Sequence, residues 1–314
     1  MLTGITIELV QLFIVMFGSP LLIGVIRKAK ARLQGRRGAS IVQPYADLRK
    51  LLLKEMVLSE NTSWVFRFTP YLLATTMLLS ALIVPSLTTL VPLSFMGNII
   101  ALMYLFLLGM FFLALAGLDA GSAFGGMGSS REVALAALAE PTVLIAIFGI
   151  ALRAGTTSLD GIITRFAAEP LLMLNAGHLL AFFAFFIVAL AENGRLPVDN
   201  PATHLELTMI HEAMILEYSG HLLALVEWAA AMKLFLFLTL LSNLFFPWGV
   251  ALTNTPVAIV TAFLALVVKL LLFAWAIALV ETWVAKLRLF RVPELLAGSF
   301  TVALLAVVTA FFIK

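Results

Sequence analysis

Eight apolar runs of about 20 residues, each long enough for a helix to cross roughly 30 Å of hydrocarbon, constrain this chain more than any other feature. They fall near 5 to 26, 68 to 91, 95 to 117, 132 to 153, 172 to 192, 222 to 245, 256 to 281 and 294 to 313. The hydrocarbon interior offers no water to backbone amides, so such runs are expected to be helices. The second and third could also form one longer hairpin broken around Pro85 and Pro92. Composition agrees: 62% of residues are hydrophobic and 12% charged, where soluble domains carry about 25% charged residues. Mean hydropathy is +1.10. The expected fold class is an all-α integral membrane protein, a single polytopic membrane domain over residues 1–314. No small-residue cleavage site follows the first run, which is read as a retained span.

Basic residues mark the cytoplasmic side of a membrane protein. Fifteen Lys and Arg fall in loops near 27–67, 118–131, 193–221 and 282–293, and only Arg153, Arg165 and Lys314 lie on the opposite face. Both termini are therefore expected outside. Within the first loop, residues 45–56 mix Leu48, Leu51, Leu52 and Met56 with Asp47, Arg49, Lys50 and Lys54. That pattern suits either a helix lying at the membrane surface or a docking surface for a soluble partner. The basic excess reports topology and not nucleic-acid binding.

Two lysines, Lys233 and Lys269, fall near the middle of the sixth and seventh runs. A lysine there costs roughly 2.5 to 3.5 kcal/mol on insertion scales, so each is expected to face the protein interior and meet an anion. Glu140, Glu227 and Glu281 are the candidates. Glu132 and Glu140 stand eight residues apart on one predicted helix, about 80° apart in azimuth and some 12 Å in depth, which suits a descending proton path. Pro141 removes one intrahelical donor and leaves an upstream carbonyl for water or a side chain. The bland alternative is that each acid only neutralises an interior cation. His178 reads as a packing or interface histidine.

Between the fifth and sixth runs, Glu192, Asp199, Glu206, Glu212 and Glu217 occur with His204, His211 and Arg195. Low-dielectric surroundings shift the pKa values of such groups, so this island is the first candidate for proton handling. Asn200–Pro201 signals a helix start. A helix from Pro201 would carry Glu206 and Glu217 within about 20° in azimuth and a second stripe of His204, Thr208 and His211. Both stripes could equally form a solvated face.

Several chemistries lack their residues. The chain has no cysteine, which excludes disulfides, Cys-ligated iron–sulfur clusters and Cys zinc sites. His211–Glu212 begins like a zinc-protease motif, but position 215 is Ile. The glycines from Gly117 to Gly128 lack a phosphate-loop ending and read as a closely packed turn before a helix starting near Arg131. No metal site is expected, and no catalytic residue.

Several segments together resemble a known family. They are Ala31-Arg32 with Arg36-Arg37-Gly38, Gln43-Pro44-Tyr45-Ala46-Asp47 with Lys50, Phe66-Arg67-Phe68-Thr69-Pro70, Gly117-Leu118-Asp119, and Glu192 with Arg195, Pro197, Asp199 and Glu217-Tyr218-Ser219-Gly220. The chain resembles the subunit-1 family of respiratory complex I and its relatives in membrane-bound group 4 NiFe hydrogenases. With Ser130-Arg131-Glu132 and Glu140-Pro141 it looks closer to the formate hydrogenlyase type. The resemblance implies a membrane anchor in the prokaryotic cytoplasmic membrane, beneath hydrogenase-like large and small soluble subunits and beside antiporter-like membrane subunits. The NiFe centre and iron–sulfur clusters would belong to those partners, with no cofactor in this chain. Glu132, Glu140, Glu192, Asp199, Glu206 and Glu217, with Arg195, would couple electron transfer to proton or sodium movement. Arg32, Arg36, Arg37, Asp47, Lys50, Arg67 and Asp119 would lie toward the soluble partner. A quinone-chamber role in an NADH-quinone oxidoreductase is the alternative within the family, and an independent secondary ion transporter the alternative outside it. Where relatives carry an acid-rich stretch, this chain has Ala202-Thr203-His204, which makes His204 and His211 candidates for proton work.

Overall fold

The computed structural model describes residues 2–90, 97–200 and 209–312, and among them it is built of helices. The expected spans become α1 (Leu2–Leu33), α3 (Trp64–Ile83), α4 (Ile99–Asp119), α5 (Ala123–Ala154), α7 (Ala176–Glu192), α9 (Gly220–Phe245), α10 (Pro256–Trp283) and α11 (Val292–Phe312). Seven are long and apolar enough to cross a membrane, and α7, at 17 residues, is shorter. Among the described residues there are also three short α-helices, α2 (Gln43–Leu52), α6 (Leu159–Ala168) and α8 (His211–Ile215).

Local chemistry sets the boundaries. Ser63, Asn98, Ser122, Asn175 and Thr255 each cap a helix with a side-chain oxygen that accepts from a first-turn amide. α3 ends at Ile83 and not at 91, because Pro85 disfavours helix at the residue before it. The segment after it forms a bridge at Thr88 with Ala251. α5 starts at Ala123, ahead of the expected Arg131, so most of the glycine run is helical; only Gly121, at φ 65°, is in a turn conformation. α2 spans Gln43–Leu52 where 45–56 was expected.

Prolines inside helices free carbonyls four residues upstream. Pro20 frees the Met16 carbonyl, which accepts from Trp228 Nε1 at 2.8 Å. Pro70 frees that of Phe66, which accepts from the Tyr218 hydroxyl at 2.9 Å. Both donors lie on or beside the start of α9, so two sequence-encoded gaps become fastening points for the same helix. At Pro141 the neighbouring Thr142 hydroxyl donates to the Leu138 carbonyl at 2.6 Å.

α9 is the central helix: every residue from Leu234 to Phe245 is buried. α5 packs on α7 and α11, α3 on α4 and α9, and α1 on α9 and α10. α10 and α11 turn apolar side chains such as Val257, Leu264, Leu272 and Leu305 outward, as lipid-facing helices do. Contacts also define two ends. Lys30, Arg195 and Glu281 meet at the basic end, while Asn243 reaches Pro85 and Ser86 at the other.

Candidate functional site

The segment between α7 and α9 starts inside the bundle. α7 closes with Gly194 at φ 56°, where Gly194 N donates to the Ala191 carbonyl and Arg195 N to that of Leu190. This paired C-terminal closure needs a residue that tolerates the left-handed region. Glu192, the last residue of α7, meets Lys233, thirteen residues into α9, at 2.8 Å. The chain beyond it buries Leu196, Val198, Met209, Ile210 and the apolar residues of α8. No continuous helix links residue 201 to Glu217: Met209 and Ile210 are non-helical and α8 has five residues.

Glycines admit α8 to the core. A Cβ on Gly128 would lie 2.9 Å from the Ile210 carbonyl and the same distance from Ala213 Cβ, and one on Gly117 would lie 3.2 Å from Met214 Cβ. Asp199 ties the segment's two limbs together. Its carboxylate accepts from Lys286 Nζ at 2.6 Å and from the Ile210 and His211 amides at 3.3 and 3.4 Å. Arg131 donates to the Met209 carbonyl at 2.9 Å. A second buried acid, Glu281, accepts from both Lys30 at 2.9 Å and Arg195 at 3.4 Å.

These groups surround a cavity of about 330 Å³ between α1, α3, α4 and α9. Glu132, Glu192, Lys233, Asp199 and His211 face it on one side, with Arg27, Arg195, Glu212 and Glu227 also at its wall. Leu73, Met77 and Phe106 supply an apolar portion. Glu140 lies in a neighbouring, mostly apolar crevice of about 650 Å³ that shares Glu192 with the first. Glu192 thus stands where the two spaces approach each other.

Burial sets the protonation of the segment's own groups. Desolvation, reinforced by Glu227 and Asp199, pushes the Glu212 carboxyl up from 4.5 to about 7. Desolvation and the Lys233 charge push His211 down from 6.5 to about 4. His211 is therefore neutral near pH 7, and the ordinary value that made it a proton carrier in the sequence does not hold here. Burial also lowers the Arg195 guanidinium, against the opposing pull of Glu281.

The structure revises the anion expected for each lysine. Lys233 meets Glu192 instead of Glu140, Glu227 or Glu281. Lys269 meets no carboxylate among the described residues; it donates to Asn243 Oδ1 at 3.1 Å beneath Trp248. Glu281 is committed to Lys30 and Arg195. Glu217 is exposed and away from the cavity. Glu206 and His204 lie outside the described residues. The Glu217-Tyr218-Ser219-Gly220 motif is a clamp: Tyr218 stacks on Phe66 at 3.9 Å, Ser219 bonds Val57, and Gly220 at φ 55° admits the Lys54 and Glu55 carbonyls. Lys286, which meets Asp199, took no part in the site residues read from the sequence.

Among the docking candidates, Arg32, Arg36, Arg37, Lys50 and Arg67 are exposed at the basic end. Asp47 is half-buried, held by Gln43 at 2.9 Å and Arg27 at 3.8 Å. Asp119 caps α3, accepting from the Ser63 and Phe66 amides at 2.8 and 3.3 Å, which gives it a role inside the fold.

Fold and site together define a polytopic all-helical membrane protein with a charged internal cavity. The chain belongs to the NADH dehydrogenase family, which it matches over residues 6–312. It is 36% identical over 301 residues to formate hydrogenlyase subunit 4 of Escherichia coli (strain K12), covering 96% of this chain and 97% of that one. It is 35% identical over 266 residues to hydrogenase-4 component C of the same organism, covering 84% and 82%. Its fold is that of a chain in the membrane-bound sulfane sulfur reductase, an archaeal respiratory membrane complex, with a TM-score of 0.81, 21% identity and coverage of 96% and 98%.

Proposed function

We propose that this chain is the membrane-anchoring and energy-coupling subunit of a hydrogenase-like complex of formate hydrogenlyase or hydrogenase-4 type. It would link electron transfer in a soluble module to proton or sodium translocation. The observation that carries this reading is the connected set of ionisable groups, Asp199, Glu132, Glu192 and Lys233, running from the buried α7–α9 segment into the middle of α9. Near end-to-end similarity to formate hydrogenlyase subunit 4 supports the choice of complex. The basic end faces the cytoplasm of a prokaryotic inner membrane in this account, by the excess of Lys and Arg there. Its exposed Arg32, Arg36, Arg37, Lys50 and Arg67 receive hydrogenase-like large and small subunits, which carry the NiFe and iron–sulfur centres. Antiporter-like subunits lie alongside in the membrane.

Purification in mild detergent through a tag on this chain tests the assignment. NiFe-type and iron–sulfur subunits should copurify, with hydrogen evolution. A monomeric chain that transports ions alone in liposomes would contradict it. The cavity's apolar portion favours one second reading, a quinone-reducing complex in which Leu73, Met77 and Phe106 contact the ring. Quinone-dependent activity abolished by bulky substitution at Met77 would select it.

A further inference from the structure

Lys269 differs from the four interior cations that pair with carboxylates. Lys30, Arg195, Lys233 and Lys286 each lie against a carboxylate. Lys269 is 2% exposed, yet its contacts are the neutral Asn243 Oδ1 at 3.1 Å and the Trp248 ring, whose centroid is 4.8 Å from Nζ. α10 packs on α1 and α9, and its Phe273 meets Phe182 of α7 and Phe246. Besides Lys269, the charged and titratable groups of these elements are Glu8 and His178 toward this end and Arg27, Lys28, Lys30, Arg32, Glu192, His221, Glu227, Lys233 and Glu281 toward the basic end. None of them pairs or hydrogen-bonds with Lys269 in the contacts among the described residues.

The acceptor is fixed in place. Asn243 Nδ2 donates to the Pro85 and Ser86 carbonyls at 2.9 and 3.0 Å, which turns Oδ1 toward the lysine. Gln11 Oε1 holds the same strand of chain by accepting from the Ser86 and Leu87 amides at 2.9 and 3.0 Å. A carboxylate in this position would stabilise the ammonium alone. An amide oxygen accepts an N–H from either the ammonium or the amine, so the side chain keeps its place when its proton leaves. Trp248 stands just beyond the end of α9 and is half exposed, one side chain between Nζ and the surface.

We propose that Lys269 is the proton-release group at the end of the bundle opposite the basic loops, cycling between ammonium and amine. This rests on the coupling reading above, with protons as the ion. On release an N–H bond of the ammonium breaks, the proton passes to water at the edge of Trp248, and the electron pair stays on Nζ. On reloading, the Nζ electron pair takes a proton whose O–H bond breaks at the Glu132 carboxyl beside Lys233, leaving a carboxylate there; the proton passes along the ten residues of α9, about 15 Å, between Lys233 and Asn243. The hydroxyls of Thr239 and Ser242 are the polar side chains along that stretch. Lys233, locked to Glu192, remains charged.

The test uses the intact complex in liposomes, with protons moved per electron measured for the wild type, Lys269→Arg and Lys269→Met. Both variants should keep electron transfer and lose proton release by about a hundredfold, the low end of what a positioned proton-transfer group contributes. Arginine retains the charge but does not give up its proton, so failure of K269R separates release from mere charge or packing. Wild-type pumping in K269R or K269M overturns the proposal and leaves the coupling reading standing. A wild-type complex that moves no protons removes both. If the variants do not assemble, acylation of the wild-type complex during turnover decides: Lys269 should be modified as the amine, and an unmodified Lys269 overturns the proposal.

Discussion

At the scale of single residues, Glu281 is the most committed group in the site. It is one buried anion shared by Lys30 and Arg195. Glu281→Gln leaves the buried Arg195 charge without its anion and should cost about 3 to 5 kcal/mol, as breaking a buried pair does. Lys30→Met, at the more exposed partner, should cost much less. Thermal unfolding of the detergent-solubilised chain checks the order. Glu212 and His211 give a pH prediction. Raising the Glu212 carboxyl from 4.5 to about 7 favours the folded state at low pH, and that contribution fades as pH rises through 7. Lowering His211 from 6.5 to about 4 favours the folded state above 6.5, and that contribution is lost as pH falls through 4. The pair is thus largely uncharged between those limits. The infrared carboxyl band that Glu212→Gln removes should titrate with a midpoint about 7; a midpoint at the ordinary carboxylate value would refute this placement.

At the scale of elements, the fastening of α9 to α3 offers a sharper test than any one contact. Tyr218→Phe removes the donor to the Phe66 carbonyl that Pro70 left open, which should cost about 1 to 3 kcal/mol. Pro70→Ala restores a helical donor to that carbonyl, so the cost of Tyr218→Phe should shrink in its presence. Additive costs would show that the two residues are not coupled. Gly128→Val should force α8 away from α5 and cost about 1 to 3 kcal/mol. Faster hydrogen exchange at Met209–Ile215 would report the loss. The span positions were legible because a run of apolar residues long enough to cross the bilayer states its own length. The end of α7 at Glu192 was legible in the same way, but the pairing of Glu192 with Lys233 was not, since it depends on how α7 and α9 face each other, which spacing along the chain does not state. The burial of α8 was left open by the sequence, since His211 and Glu212 suit a solvated stripe as well as a buried one until the glycines of α4 and α5 are seen to admit the helix.

At the scale of the whole molecule, the two ends carry different chemistry. The basic end presents exposed arginines outside and bound carboxylates within, and the other is sealed by neutral hydrogen bonds around Asn243. Between them Glu132, Glu192 and Lys233 line one cavity with Asp199. In the coupling proposed above, a local disturbance at Asp199 or Lys286 changes the ionisation deep in the bundle. The most direct test is ion movement per electron in liposomes containing the complex, with Glu192→Gln compared with the wild type. The account predicts that electron transfer continues in E192Q while ion translocation falls by about a hundredfold or more, as expected on loss of a positioned proton-transfer group. Undiminished translocation in a fully assembled E192Q complex would contradict it.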